Sequence, residues 1–252
     1  MNDVLVLCYH AVSARWPAEL AVRSKDLHEQ LELLVRRGYH GVTFHEAMTS
    51  PPRGKVLAVT FDEAYRSVLE VAYPILSSLG IPATVFVVTD FANDDRPLAW
   101  PGIDQWLGGT HDAELRGLSW SQLEVLGDAG WEIGSHSQTH PRLTQLDDAA
   151  LMHELRESRA ACELALGLPC RSLAYPYGDV DRRVVTAAGD AGYDAAGALP
   201  TRLDGASPLT WPRLGVYRSD SIRRFRLKVS PAIRRLRTIA GPTEGFFRRT
   251  AA

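Results

Sequence analysis

An α/β fold is predicted from three observations on this chain. Apolar, strand-like runs alternate with segments of helical period along the whole sequence. Glycines stop the helical segments, at Gly38, Gly80, Gly130 and Gly167. The 252 residues fit one α/β barrel or two smaller domains. No internal repeat or low-complexity linker divides them, so a single domain is the simpler reading.

The first strand is expected over residues 4–9. Leu27, Leu31, Leu34 and Val35 carry a helical period over 27–37. A second strand is expected over 56–61, then a helix over 65–79 with Val68, Leu69, Ala72, Ile75, Leu76 and Leu79 inward. Pro74 lies inside that helix and is expected to kink it or to start its second half. Residues 83–88 are apolar but for Thr84, as in a strand buried on both faces.

Residues 90–117 have no period and are rich in Asp, Gly, Pro and Trp. They read as an insertion over one mouth of the fold, where loops carry specificity. Its Trp100 and Trp106 either stack on a sugar or pin the long loop. Ser119 reads as the N-cap of a helix through Ala129. Strands are then expected over 131–135, 171–175, 193–197 and 213–217, with helices over 147–166 and 182–191.

Charges are mixed and near balance, and no nucleic-acid partner is expected. From Arg218 onward, however, ten Lys/Arg face only Asp220 and Glu244. This basic stretch reads first as a solvated helix face. Its sharper reading is a surface for an anionic membrane or a phosphorylated substrate. No apolar run is long enough to span a bilayer. The N-terminus shows no basic region or cleavage site ahead of its first apolar run, so no secretory signal is read. A cytoplasmic location is expected, with peripheral contact at the inner membrane face as an extension. Cys8, Cys162 and Cys170 lack CxxC spacing and read as reduced thiols.

The chemistry concentrates in two segments. His136 and His140 sit four residues apart just after a strand, and a helical turn would put both rings on one side of an ion. Asp62 and Glu63 end another strand. In parallel α/β folds such strand ends converge on one mouth. Two imidazoles and one carboxylate leave coordination positions open for water, while the second carboxylate is spare as a base. The bland alternative is an acidic pair capping the next helix.

These segments resemble the polysaccharide deacetylase family, also called the NodB-homology or carbohydrate esterase family 4 group. Thr60-Phe61-Asp62-Glu63-Ala64 stands where the family has TFDDG, and Ser135-His136-Ser137-Gln138-Thr139-His140 at its H-[ST]-x-x-H motif. Ala174-Tyr175-Pro176-Tyr177-Gly178 resembles its Pro-Tyr segment. The resemblance implies a distorted, incomplete (β/α) barrel over 1–217, with the insertion at about 90–117 and a basic helical tail over 218–252. It implies Glu63, His136 and His140 as ligands of one divalent ion, zinc ahead of cobalt, nickel, manganese or iron. Asp62 takes the position of the general base, and the Tyr177 amide that of an oxyanion donor. The family's late Leu-x-His acid is absent, since every histidine lies at or before His153. One branch carries that histidine in an N-terminal Tyr-His pair, which makes His10 of Leu7-Cys8-Tyr9-His10 the acid. Arg213 would orient Asp62.

Two departures stand out. Glu63 is one methylene longer than the family's Asp, which bears on metal identity and affinity. Ala64 replaces the motif's glycine, which suggests a backbone with no need of positive φ. The implied activity is metal-dependent removal of an N-acetyl, or similar N-acyl, group from an amino sugar or saccharide. A non-catalytic carbohydrate-binding relative is the alternative. A non-haem iron oxygenase shares the ligand types, but α/β alternation speaks against it.

Overall fold

The computed structural model describes residues 3–93, 95–199 and 207–240. Strands β1 (Asp3–Tyr9), β2 (Ala11–Val12) and β3 (Ala21–Val22) lead into helix α1 (Ser24–Arg36). Next come β4 (Tyr39–Val42), α2 (Phe44–Thr49) and β5 (Lys55–Asp62). A π-helical turn, Val68–Ala72, runs into α3 (Tyr73–Ser78), followed by β6 (Ala83–Val87). Beyond a long loop lie α4 (Trp120–Asp128), β7 (Glu132–Ser135), α5 (Asp148–Leu166), β8 (Ser172–Ala174), α6 (Arg182–Asp190) and β9 (Ala195–Ala198). The last described elements are β10 (Trp211–Pro212), β11 (Leu214–Gly215), α7 (Ile222–Lys228) and α8 (Pro231–Ala240).

The main sheet runs β10-β9-β8-β7-β6-β5-β1-β11, and all of its pairings are parallel. Only Arg213 separates β10 from β11. One short segment therefore pairs with β9 through its first half and with β1 through its second. The wall closes almost completely into a distorted (β/α) barrel. The far edge of β5 is shared, β4 lying along residues 55–58 and β6 along 59–62. Gly41 permits this handover, because a Cβ there would stand 2.8 Å from Ile81 Cγ2.

Alternation along the strands sorts the two faces. Leu5, Leu7 and Tyr9 of β1 and Leu57, Val59 and Phe61 of β5 point outward into the large core under the helices. Val6, Val56, Ala58, Phe86, Ala174 and Ala195 belong to a second, smaller cluster that fills the barrel. The same period puts Cys8, Thr60 and Asp62 on that inner face. Strands buried on both sides explain the near-continuous apolar runs in the sequence.

Several expectations are corrected. The helix over 65–79 divides into the π-helical turn and α3, and Pro74 starts the second half, in the first turn of α3, as one of its two readings had it. The strand over 213–217 reduces to Leu214–Gly215, since Arg213 itself lies between the two pairings. The basic stretch after Tyr217 is not simply solvated. Phe225 and Val229 are buried in the main core. Arg218 donates to the carbonyls of Ser13, Ala14 and Ala21 at 3.0–3.1 Å. Lys228, 6% exposed, donates to Gly215 O at 2.9 Å and pairs with Asp220. Arg248 and Arg249 lie outside the described residues. No described helix is long and apolar enough to cross a membrane.

Gly197 of β9 makes room for the closing arginine. A Cβ there would stand 2.5 Å from Arg213 Nε and 2.6 Å from Cδ. Arg213 is 1% exposed and enclosed. Gly197→Ala is expected to lower the unfolding free energy by about 1–3 kcal/mol, the cost of overpacking a core. Urea denaturation checks this, and an unchanged midpoint would show slack inside the barrel.

Candidate active site

Three loops at the C-terminal ends of the barrel strands build the site. β5 runs out at Asp62, and Glu63 and Ala64 turn left-handed, with φ of 69° and 49°. On a continuing strand the two carboxylates would face opposite ways. The turn brings Glu63 over the mouth instead. Ala64 O accepts from Leu118 N at 2.8 Å, which ties the turn to the end of the insertion. The reading of Ala64 as a residue with no need of positive φ is therefore corrected.

The second loop follows β7. His136 N donates to Val87 O at 2.8 Å. No helical turn links His136 to His140, because Ser137 and His140 are both left-handed, at 65° and 66°. Side chains hold the loop in place of helical bonds. Ser135 Oγ accepts from Ser137 N, and Ser137 Oγ from His140 N, each at 3.1 Å. Glu154 of α5 accepts from Gln138 N, Thr139 N and Thr139 Oγ1 at 2.9, 3.0 and 2.6 Å. The third loop, after β8, holds Tyr177 at a φ of 59°. Glu63, Ala64, Ser137, His140 and Tyr177 are the only non-glycine residues of positive φ among the described residues. Each such conformation costs on the order of 1–3 kcal/mol. The backbone strain of this molecule is thus concentrated at the mouth.

Glu63, His136 and His140 converge there, their donor atoms all within 4.8 Å of one another. His136 Nδ1 lies 2.8 Å from Ala174 O. A carbonyl only accepts, so Nδ1 carries the proton and Nε2 keeps its lone pair. His140 Nε2 is 3.6 Å from Glu63 Oε1. Both ring nitrogens of His140 and Glu63 Oε2 are buried without a hydrogen-bond partner. Burial holds both imidazoles below their ordinary range, in the uncharged form a metal ligand needs. Burial also pushes the Glu63 carboxyl up, and the charge of Asp62 adds to it. Orphaned lone pairs around an uncompensated carboxylate suit a divalent cation, with positions left open for water and substrate. Trp100 stacks on His140 at 4.2 Å between ring centroids, and Tyr177 lies 4.6 Å away. Trp106 instead packs on Trp16 and His111 and pins the insertion.

Asp62 stands beside this group but is held differently. Arg213 donates to Oδ1 at 2.6 Å and to Oδ2 at 2.8 Å. The Cys8 thiol donates to Oδ2 at 3.3 Å, and His136 Nε2 is 4.0 Å from the same oxygen. Burial pushes the Asp62 carboxyl up, yet the charge and the paired hydrogen bonds of Arg213 outweigh it and hold the group well below the usual carboxylate range. His10 is half-buried, with its donor atom within 4.8 Å of those of Cys8 and Asp62.

All seven residues named from the sequence thus meet at one end of the barrel. Sequence reasoning did not foresee the thiol of Cys8 on Asp62, the clamp formed by Glu154 or the stacking of Trp100 on His140. Cys8 had a signal, since the two-residue period of β1 puts it on the side of His10, just past the strand's end. Glu154 had none, because nothing in the helix pattern of α5 distinguishes it.

Ala64→Gly tests the strain directly. Glycine removes a left-handed cost of about 1–2 kcal/mol, while its looser unfolded chain takes back about 0.4–1 kcal/mol. A net gain of up to about 1.5 kcal/mol in unfolding free energy is expected. Loss of stability in chemical denaturation would show that the Ala64 methyl, 1% exposed, packs more favourably than its φ costs.

Known proteins resemble most of the chain. The sequence model of polysaccharide deacetylases matches residues 49–196. The protein YxkH of Bacillus subtilis (strain 168) is 25% identical over 193 residues, 75% of this chain and 61% of its own length. A poly-beta-1,6-N-acetyl-D-glucosamine N-deacetylase of Staphylococcus aureus (strain MSSA476) is 22% identical, over 70% of this chain and 65% of its own. The chain thus spans less than two thirds of these two relatives. Among solved structures, the Streptococcus pyogenes deacetylase PplD in complex with acetate superposes with a TM-score of 0.74. It is 21% identical, and the match covers 91% of this chain and 99% of that one. IcaB from Ammonifex degensii gives 0.69 at 22% identity, over 94% and 99% of the two chains. These two structures share the barrel, and the match of the family model over more than half of the sequence shows that this chain belongs to the polysaccharide deacetylase family.

Proposed function

We propose that the protein hydrolyses the N-acetyl group of an N-acetylated amino-sugar polysaccharide, with one divalent ion held by Glu63, His136 and His140. The observation that carries this reading is the pair of unlike carboxylates at the end of β5. Glu63 has open lone pairs facing two uncharged imidazoles, whereas Asp62 is fixed by a guanidinium and stays ionised. Zinc is the ion that best suits two imidazoles and one carboxylate. When bound, such an ion supplies Lewis acidity to the acyl carbonyl and to water.

The protein's own groups supply positioning and proton transfer. Asp62 takes the proton of the attacking water, and Arg213 fixes the direction of its carboxylate. The new bond forms between water oxygen and the acyl carbon, and the developing oxyanion is met by the backbone amide of Tyr177. His10, at the same mouth, gives a proton to the nitrogen as the C–N bond breaks. Free acetate and the amino sugar leave. Tyr177, half-buried beside His140, supplies an aromatic face against which a pyranose ring can lie, while buried Trp100 backs the imidazole. The name of the staphylococcal relative supports a poly-N-acetylglucosamine-like substrate.

The roles separate by mutation. His136→Ala is expected to lose the stoichiometric ion and acetate release together. Asp62→Asn is expected to keep its ion while turnover falls by about 10²–10⁴-fold, the range for loss of a general base. Elemental analysis beside an acetate-release assay on N-acetylglucosamine oligomers decides. A fully metallated His136→Ala, or an Asp62→Asn stripped of its ion, would reverse the assignment.

His10 has its own signature. A general acid matters most when the leaving group is poor. His10→Ala should slow amide hydrolysis by about 10²-fold or more, yet slow an activated aryl ester far less. Equal losses on both substrates would remove His10 from the acid role.

A further inference from the structure

Cys8 takes no part in the reaction above. It is fully buried, and its thiol hydrogen lies between Sγ and Asp62 Oδ2, 3.3 Å apart. Strand alternation puts Cys8 and Asp62 on the inner face of adjacent, register-paired strands, β1 and β5. His10 completes the group. One donor atom from each of Cys8, His10 and Asp62 lies within 4.8 Å of the other two, and His10 Nδ1 is buried without a hydrogen-bond partner.

We propose that Cys8, His10 and Asp62 form a second metal site, selective for a thiophilic divalent ion such as zinc in excess or cadmium. A thiolate, an imidazole and a carboxylate are a donor set for these ions and not for magnesium or calcium. A carboxylate offers about four lone-pair positions. Arg213 uses one on each oxygen of Asp62, and the thiol hydrogen uses another on Oδ2. The ion takes the place of that hydrogen. The S–H bond breaks, an S–metal bond forms, and one proton leaves to solvent, with no change of oxidation state. Arg213 already balances Asp62, so the ion adds a single positive charge net of the proton released. Half-buried His10 is the point of entry from the mouth.

The site stands apart from the first, although close to it. Asp62 Oδ2 lies 4.0 Å from His136 Nε2, a ligand atom of the first site, so the two ions would be close neighbours. Repulsion from the first ion makes the second bind more weakly. On the reading under "Proposed function", the second ion would capture both proton-transfer groups and shut the reaction. The shut-off and the zinc already in the first site rest on that reading; binding at the Cys8 thiolate does not.

The test uses protein carrying one equivalent of zinc, titrated with cadmium chloride in dilute buffer. A second ion is expected to bind with release of one proton and with an ultraviolet thiolate-to-cadmium charge-transfer band. Cys8→Ser and Cys8→Ala should lose band and proton while retaining the first zinc. His10→Ala should weaken the second ion by more than about tenfold, the least that loss of a supporting group costs a metal site. No band in the wild type overturns the proposal. So does a band that persists in the Cys8 variants, which would come from Cys162 and Cys170. Should neither Cys8 variant fold, an unchanged cadmium affinity in His10→Ala overturns it. Failure to release acetate from any saccharide would count against the proposed function and leave the titration unaffected.

Discussion

The fold and the site both depend on one buried ion pair, Arg213 with Asp62. The guanidinium meets both carboxylate oxygens, and neither side chain is more than 2% exposed. It also donates to Thr60 Oγ1 at 3.1 Å, within the same strand as Asp62. Arg213 is at once the residue between β10 and β11 and the partner of the proposed base. Closing the wall and fixing the carboxylate are one event. A buried pair of this kind adds little net stability compared with apolar packing, but losing one partner costs about 3–5 kcal/mol. What it enforces is geometry. The glycine at position 197 makes space for the guanidinium, and Phe86 lies under it at 5.4 Å.

Around that fixed point the mouth is built from strained backbone, held by contacts from elsewhere. Glu154 reaches from α5 to three donors of the loop 136–140, and Leu118 reaches from the end of the insertion to Ala64. Strained turns persist only where surrounding structure over-determines them. Here the turn at Glu63 and Ala64 and the loop 136–140 are each braced by an element distant in sequence. The donor atoms of Glu63, His136 and His140 are therefore set before any ion arrives, and binding has little ordering left to do.

Much of this was legible in the sequence. Long apolar runs marked β1, β5 and β6, because strands covered on both faces show no polar alternation. The chemistry stood out because polar residues end those runs abruptly, at Asp62 and after Ser135. The rest was hidden for definite reasons. Strands of two residues, β2, β3, β10 and β11, are too short to show any period. The left-handed turns at Ala64 and Ser137 carry no local signature, since neither residue prefers that conformation and distant hydrogen bonds impose it. The role of Cys8 needed the register of β1 on β5 to be seen at all. The burial of Phe225 and Val229 was masked by the arginines around them.

The closing segment also orders events in time. Asp62 and Arg213 are separated by 151 positions, so a growing chain makes the carboxylate long before its counter-charge. Until the segment with Arg213 arrives, the inner face of β5 presents an unpaired acid that resists burial. A nascent chain released early would carry its imidazoles and acids in a hydrated, unsealed cup. Assembly of the reactive end is in this way reserved for chains whose synthesis has passed the last barrel strand.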